Sequence, residues 1–298
     1  MPRNGVPINP DNMNHLCYNF PVEIQNRKLG KTGVDVTLLG LGGEGVLRTF
    51  KYDDEACALI NRALDLGINY FESARAYSGS ESYYGKALRE RRKKIFLTSK
   101  SHARDRKGAL EHLQETLKNM KTDHLDLWQV HDVRTDDDVK EIFGPRGAIE
   151  AFAEAKQKGL TRFIGVTGHH DPEILKKCIS LFDFDTVLLP VNPAEPHYKS
   201  FLDEVVPFAK QKSMGIIGMK VYFRGFAVRI PWFQSMKPFL HFALSQPVST
   251  VVIGCDSIQQ LEENVEFAMK FSQMPNTEME DLIEKVRPFS RQLMYYKP

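Results

Sequence analysis

Cysteine is scarce and scattered in this chain of 298 residues: the four thiols, Cys17, Cys57, Cys178 and Cys255, form no CxxC pair and no Cys/His ligand spacing. A disulfide framework and a structural zinc site are thereby excluded, and reduced thiols in a cytosolic protein fit best. Long apolar runs are missing as well. No stretch approaches the ~20 apolar residues of a membrane-spanning helix, and Met1–Phe20 lacks the apolar heart of a signal peptide, so the cytoplasm is the expected compartment. An excess of one charge is also missing. The 40 Lys and Arg stand among 38 Asp and Glu, which leaves no footprint for nucleic acid or an anionic membrane. Short basic runs such as Arg89–Lys94 read as solvated surface beside a helix end. Internal repeats and low-complexity segments are absent. So is a Gly-rich phosphate loop after the first strand, because Gly40-Leu41-Gly42-Gly43-Glu44-Gly45 has the wrong spacing for a dinucleotide fingerprint.

What the chain does have is alternation. Residues 1–21, rich in Asn and Pro, read as an extended arm, and residues 22–298 as one barrel domain. Val22-Glu23-Ile24 and Val34-Asp35-Val36 flank a turn with Gly30 and Gly33, which predicts a hairpin able to plug a barrel floor. Strands are then expected at Thr37–Gly42, Asn69–Ala74, Ile95–Lys100, Leu125–His131, Arg162–Thr167, Thr186–Val191, Gly215–Val221 and Thr250–Cys255. Helical patterns separate them. In Asp54–Leu66 the residues Ala56, Leu59, Ile60, Ala63 and Leu64 fall on one face, and Gly67 supplies the stop. Gly159 does the same after Ile149–Lys158, and Cys57 and Cys178 fall in such helices as buried thiols. A last helix, Thr277–Pro288, precedes an aromatic tail, Tyr295-Tyr296. Strand–helix alternation of this kind, without a dinucleotide loop, argues for a closed (β/α)8 TIM barrel with an N-terminal hairpin and a C-terminal helical tail.

In such a barrel the C-terminal strand ends share one rim. Tyr77 follows the second strand, Lys100 closes the third and His131 closes the fourth, while Glu72 within the second offers a carboxylate to the lysine. A phenol titrates near pH ~10 and is a reluctant proton donor at neutrality. A nearby ammonium stabilises the phenolate, and an imidazole can orient a carbonyl and bond the developing oxyanion. The set suits proton transfer to a carbonyl oxygen.

Several spaced blocks carry a resemblance. They are Gly67-Ile68-Asn69-Tyr70-Phe71-Glu72-Ser73-Ala74-Arg75-Ala76-Tyr77, Gly79-Ser80-Glu81, Gly85-Lys86-Ala87-Leu88, Thr98-Ser99-Lys100 and Leu125-Asp126-Leu127-Trp128-Gln129-Val130-His131. Later come Gly159, Ile164-Gly165-Val166 and Gln260-Leu261-Glu262-Glu263-Asn264. Together, from about Arg27 to Phe271, they resemble the aldo-keto reductase family. The resemblance implies NAD(P)H-dependent reduction of an aldehyde or ketone, with Tyr77, Lys100, His131 and Glu72 as the catalytic set. It implies a small-molecule carbonyl substrate, and nothing in it requires more than a monomer.

The departures from the family pattern are specific. Glu72 stands where the family has Asp, which adds a methylene of about 1.5 Å reach; it is either the lysine's partner or a structural barrel carboxylate. Val166-Thr167-Gly168-His169 replaces a common Ser-Asn pair on the nicotinamide amide, Asn192-Pro193 replaces an Asn-Gln pair, and Met219 holds the place of a frequent aromatic platform. His169, His170 and Asn192 are compensating candidates. Lys220 and Arg224, with Gly254, Cys255, Ser257, Gln260, Glu263 and Asn264, are the candidates for the phosphate end, where Ser257 and Gln260 have capping-box spacing. Gly254 and Gln260 stand where NADPH-preferring members often have Lys and Arg, so NADP is the implied cofactor with NAD open. Val46, Leu47, Phe50, Trp232, Phe233, His197 and Tyr198 are either pocket residues or loop anchors. The drift leaves a second reading beside the enzyme: a nicotinamide-binding sensor or interaction protein with little turnover.

Overall fold

The computed structural model describes residues 23–298; the arm expected over residues 1–21 lies outside them. A short antiparallel hairpin, β1 (Asn26–Lys28) and β2 (Asp35–Thr37), comes first. Eight parallel strands follow: β3 (Leu39–Gly45), β4 (Tyr70–Glu72), β5 (Phe96–Ser101), β6 (Leu125–Val130), β7 (Thr161–Thr167), β8 (Thr186–Pro190), β9 (Gly215–Met219) and β10 (Thr250–Cys255). They close in the order β10-β3-β4-β5-β6-β7-β8-β9 into one barrel, with β9 bonded to β10. The helices are α1 (Asp53–Asp65), α2 (Ser80–Ala87), α3 (Arg106–Met120), α4 (Asp136–Phe143), α5 (Ala148–Gln157), α6 (Pro172–Leu181), α7 (Phe201–Gln211), α8 (Lys237–Ser245), α9 (Ile258–Met269), α10 (Asn276–Val286) and α11 (Ser290–Leu293). The (β/α)8 architecture is therefore as expected.

Local chemistry sets the elements. The first turn of α1 holds Asp53, Asp54 and Glu55 at the positive end of the helix dipole, and Ala56, Leu59, Ile60 and Ala63 are buried. Gly67, at φ +84°, then turns the chain into the next strand in a conformation that side chains with a Cβ resist. Asp105 caps α3 by accepting from Gly108 N at 3.0 Å. Inside the barrel Leu29, Val36, Tyr70, Phe96, Leu127, Leu188, Ile217 and Val252 form one apolar cluster. Leu29 and Val36 come from the hairpin region, and Lys31 N donates to Ser213 O at 2.6 Å, so the hairpin closes the floor.

The first hairpin strand is displaced from the expected Val22–Ile24 to Asn26–Lys28. Ile24 is buried in the outer core rather than paired, and Arg27 pins the observed strand by donating to Leu244 O and Val248 O. The second barrel strand is shorter than expected. Ladder bonds nonetheless continue past it, from Ser73 N to Thr98 O and from Arg75 N to Lys100 O, and they carry the chain in register toward Tyr77.

Candidate active site

Tyr77 sits in the turn after β4, its N–H donating to Ala74 O at 2.9 Å. The Lys100 ammonium lies 4.8 Å from its ring centroid, and the His131 ring meets it edge-on at 5.9 Å. One cavity of about 650 Å³ is lined by all three. Glycine makes the approach possible: a Cβ on Gly43 would lie 2.8 Å from both Tyr77 Cδ2 and Glu72 O.

Glu72 and Lys100 are buried and in direct contact as an ion pair. The longer carboxylate reaches two partners, because its second oxygen accepts from Gly43 N at 2.9 Å. Lys100 also donates to Ser73 O at 2.8 Å. Burial pulls the ammonium well below the usual lysine range; Glu44 works the other way, and Lys220 and Arg48 add to the fall. Tyr77 does not follow the expected depression: burial, with Glu44 adding to it, raises the phenol, and the opposing pull comes from Arg48 and Arg224. Burial, then Lys100, depresses His131 well below its ordinary value. The site therefore presents a protonated phenol and a neutral imidazole.

Residues outside the sequence candidates build the surroundings. Arg48 lies 5.0 Å from the Tyr77 ring centroid and pairs with Glu44 at 2.7 Å; Arg224 approaches the same carboxylate at 3.5 Å. Burial pushes Glu44 up, but Arg48, Arg224 and Lys220 outweigh it and hold the carboxyl low. Arg104 donates to His131 O and Asp132 O at 2.8 Å each and to Asp138 at 2.8 Å, clamping the turn that carries the histidine. Asp132 follows His131 at φ +54° and pairs with Arg134 at 2.5 Å and His169 at 3.0 Å. Beneath Arg75, the buried Glu81 accepts from Ser99 at 2.8 Å, Thr116 at 2.6 Å and Arg75 at 2.9 Å, joining α2 and α3 to β5. Arg48, Arg104 and Asp132 belong to no motif, and only their place after strand ends marks them.

The cofactor candidates divide. Thr167, His169, Met219, Lys220 and Arg224 line the cavity with Tyr77. Thr167 Oγ1 accepts from Asp132 N at 2.8 Å. Lys220 Nζ makes no ion pair among the described residues; it lies 5.9 Å from the ring centroids of Tyr295 and Tyr296. The others lie off the cavity. Gly168 packs against Val133 and Leu175. Asn192 is fully buried, its amide donating to Lys220 O and Tyr296 OH and accepting from Ala194 N. A Cβ at Gly254 would come within 2.7 Å of Glu44 backbone, which explains why no cationic side chain stands there. Asn264 bonds inward to Cys255 Sγ and Tyr222 OH, and burial pushes the Cys255 thiol up to about 12. Ser257 caps α9 by accepting from Gln260 N at 3.2 Å, but Gln260 reaches back to Asp256 N rather than to the cap residue, and Glu263 is exposed.

The loop candidates divide. Val46 and Leu47 are core, Phe50 is exposed, and Trp232 and Phe233 stack on Phe239. His197 bonds Ile283 O, and Tyr198 lies under Arg291. The aromatic tail is what the sequence left unplaced: Tyr295, Tyr296, Lys297 and Pro298 form one side of the cavity. Among the described residues no helix is long and apolar enough to cross a membrane, and no cluster of metal-ligating side chains is present.

Known proteins resemble this chain in sequence and in fold. An oxidoreductase of Bacillus subtilis (strain 168), YqkF, itself uncharacterised, is 24% identical over 82% of this chain and 91% of its own length. L-galactose dehydrogenase of Arabidopsis thaliana is 26% identical over 89% of this chain and 96% of its own. Among solved structures, the holo form of aldo-keto reductase AKR11C1 from Bacillus halodurans superposes with a TM-score of 0.74 at 23% identity, covering 89% of this chain and 97% of that one. An aldo-keto reductase from Klebsiella pneumoniae in complex with NADPH gives a TM-score of 0.74 at 19% identity, covering 89% and 95%. The model of the aldo/keto reductase family matches residues 38–229, which span the barrel from β3 past β9 and include Tyr77, Lys100 and His131. This chain belongs to the aldo/keto reductase family of oxidoreductases.

Proposed function

We propose that this oxidoreductase reduces an aldehyde or ketone with a nicotinamide cofactor, Tyr77 acting as general acid. The observation that carries the reading is the meeting of Tyr77, Lys100 and His131 at one cavity. The bound nicotinamide supplies the hydride for the carbonyl carbon. This chain's own residues do the rest. Tyr77, kept protonated by burial, donates its proton to the carbonyl oxygen, and the neutral His131 orients that oxygen. The Lys100–Glu72 pair stands behind the phenol and stabilises the charge left on it.

The cavity suits the cofactor. Lys220, free of any carboxylate among the described residues, and Arg224 offer cationic partners to its phosphates, while Thr167 and His169 offer polar atoms nearer Tyr77. The NADPH carried by the Klebsiella pneumoniae relative supports NADP as the cofactor. With Gly254 closed to any side chain and Gln260 engaged in the cap of α9, neither position clamps a 2′-phosphate, so discrimination against NADH is weak. The free thiols of Cys57, Cys178 and Cys255 favour a reducing compartment such as the cytoplasm.

A second reading, a nicotinamide sensor with little turnover, draws on one observation: the Asn192 amide is spent inside the protein. Tyr77→Phe decides between them. In the enzyme, turnover of a carbonyl panel falls by about a thousandfold or more while cofactor binding, read by fluorescence, persists. Equal turnover in the variant removes Tyr77 as the acid, and a wild-type protein that binds cofactor but turns over nothing in the panel favours the sensor.

A further inference from the structure

The C-terminal tail enters the cavity beside the strand ends that hold the cofactor candidates. Tyr296 OH donates to Glu195 Oε1 at 2.7 Å and accepts from Asn192 Nδ2 at 3.0 Å. The next residue, Lys297, pairs with Glu195 at 2.7 Å, and neither side chain is exposed. Lys297 also donates to Tyr198 O and Lys199 O at 2.9 Å each. Five polar contacts therefore hold two tail residues. The Tyr296 ring meets His169 edge-on at 5.7 Å and Tyr295 at 5.5 Å. Tyr295, 40% exposed, leans on Phe226 at 5.3 Å.

We propose that Tyr296, backed by Tyr295, is the aromatic wall against which the nicotinamide ring packs, in place of the strand-borne aromatic whose position Met219 holds. This rests on the nicotinamide reading above and adds to it a subsite residue supplied from far along the chain.

Three features carry the inference. With the tail seated, a cavity of about 650 Å³ still runs from Tyr77, Lys100 and His131 past Met219 to Lys220 and Arg224, so the tail bounds the space without filling it. The anchoring is too extensive for a segment that must leave on each binding event: removing one member of a buried ion pair strands the other, and Glu195 holds both Tyr296 and Lys297. Finally, a tyrosine ring fixed through its hydroxyl offers a rigid, flat face to a planar ring, whereas Met219 is apolar, flexible and unspecific. Asn192 then acts as a positioning residue. It spends its amide on Tyr296 OH, and its contribution to the cofactor passes through the ring it holds.

The test measures NADPH affinity by fluorescence titration in the full chain, with KM values for NADPH and for a carbonyl substrate. Tyr296→Ala weakens NADPH binding about tenfold, equivalent to about 1.4 kcal/mol. The substrate KM at saturating NADPH stays within about twofold, a split that general loosening of the site would not produce. Adding Met219→Tyr to Tyr296→Ala restores most of the affinity by returning an aromatic to β9. If Tyr296→Ala does not fold, Tyr295→Ala carries the test, with an expected loss of about threefold. Affinity that is unchanged in the folded variants, or tightened as a plug would require, overturns the inference alone. A wild-type protein that binds neither NADPH nor NADH overturns the functional reading together with it.

Discussion

Glu72→Asp restores the residue that the family pattern carries, yet this structure predicts that it damages the protein. The glutamate uses its full length: one oxygen contacts Lys100 and the other accepts from Gly43 N at 2.9 Å, in a site where the residue is only 3% exposed. Removing one methylene draws the carboxylate back by about 1.5 Å, and both partners cannot then be kept. Lys100 has the flexible arm and a second anchor at Ser73 O, so it follows the carboxylate, and the bond to Gly43 N is lost. A hydrogen bond to a charged group contributes about 1.5–3 kcal/mol. In a chain of this size that lowers the melting temperature by roughly 2–5 °C. Lys100 moves by about an ångström relative to the Tyr77 ring, enough to cost tenfold to about a hundredfold in kcat. Calorimetry and steady-state kinetics on the same preparation give both numbers. Glu72→Gln sets the scale: it leaves the buried ammonium without a counter-charge, which costs about 3–5 kcal/mol and exceeds the aspartate's effect. A Glu72→Asp protein that melts at the wild-type temperature and turns over as fast or faster would refute the reasoning.

Other outcomes follow from neighbouring contacts. Gly43→Ala puts a methyl within 2.8 Å of Tyr77 Cδ2 and Glu72 O; the ring gives way, so kcat drops by about tenfold or more while circular dichroism stays that of the folded protein. Glu81→Ala leaves Arg75, Ser99 and Thr116 without their shared acceptor and costs about 3–5 kcal/mol in urea unfolding, against no change if the network is idle. Because burial raises the Tyr77 phenol, carbonyl reduction is flat across roughly pH 6–9, whereas oxidation of the corresponding alcohol, which needs the phenolate, keeps rising past pH ~10. A depressed His131 adds no inflection near pH ~6.5; one that vanished in a His131→Gln variant would contradict the neutral imidazole.

The barrel was legible because its signals are local and periodic. Each barrel strand lies within a few residues of its expected place, and Gly67 and Gly159 mark helix ends where φ turns positive. The Tyr77, Lys100 and His131 set was legible because strand ends in a parallel barrel share a rim, whatever the loops do. The first hairpin strand was not: Arg27 is fixed by carbonyls more than 200 positions away, which no local pattern encodes. At the cofactor end, reading consecutive residues as a site failed to separate directions. Cys255 and Asn264 point inward to each other, and Gly254 is closed off by Glu44. The tail was noticed as aromatic but could not be placed, because its partner Glu195 lies 101 residues earlier.

That separation also bears on how the chain is made. Glu195 lies on a loop with its side chain fully buried, and the charge that neutralises it belongs to Lys297, 102 positions later. Until Lys297 has been added, the half of the barrel around β8 holds an uncompensated carboxylate, and until β10 has been added the seam beside β3 stays open. Closure of that seam and neutralisation of Glu195 thus both wait for segments made well after β8, namely β10 and Lys297. The nascent chain passes through a long interval in which its sheet has exposed edges and Glu195 awaits its counter-ion, the stage at which a chaperone's protection matters most.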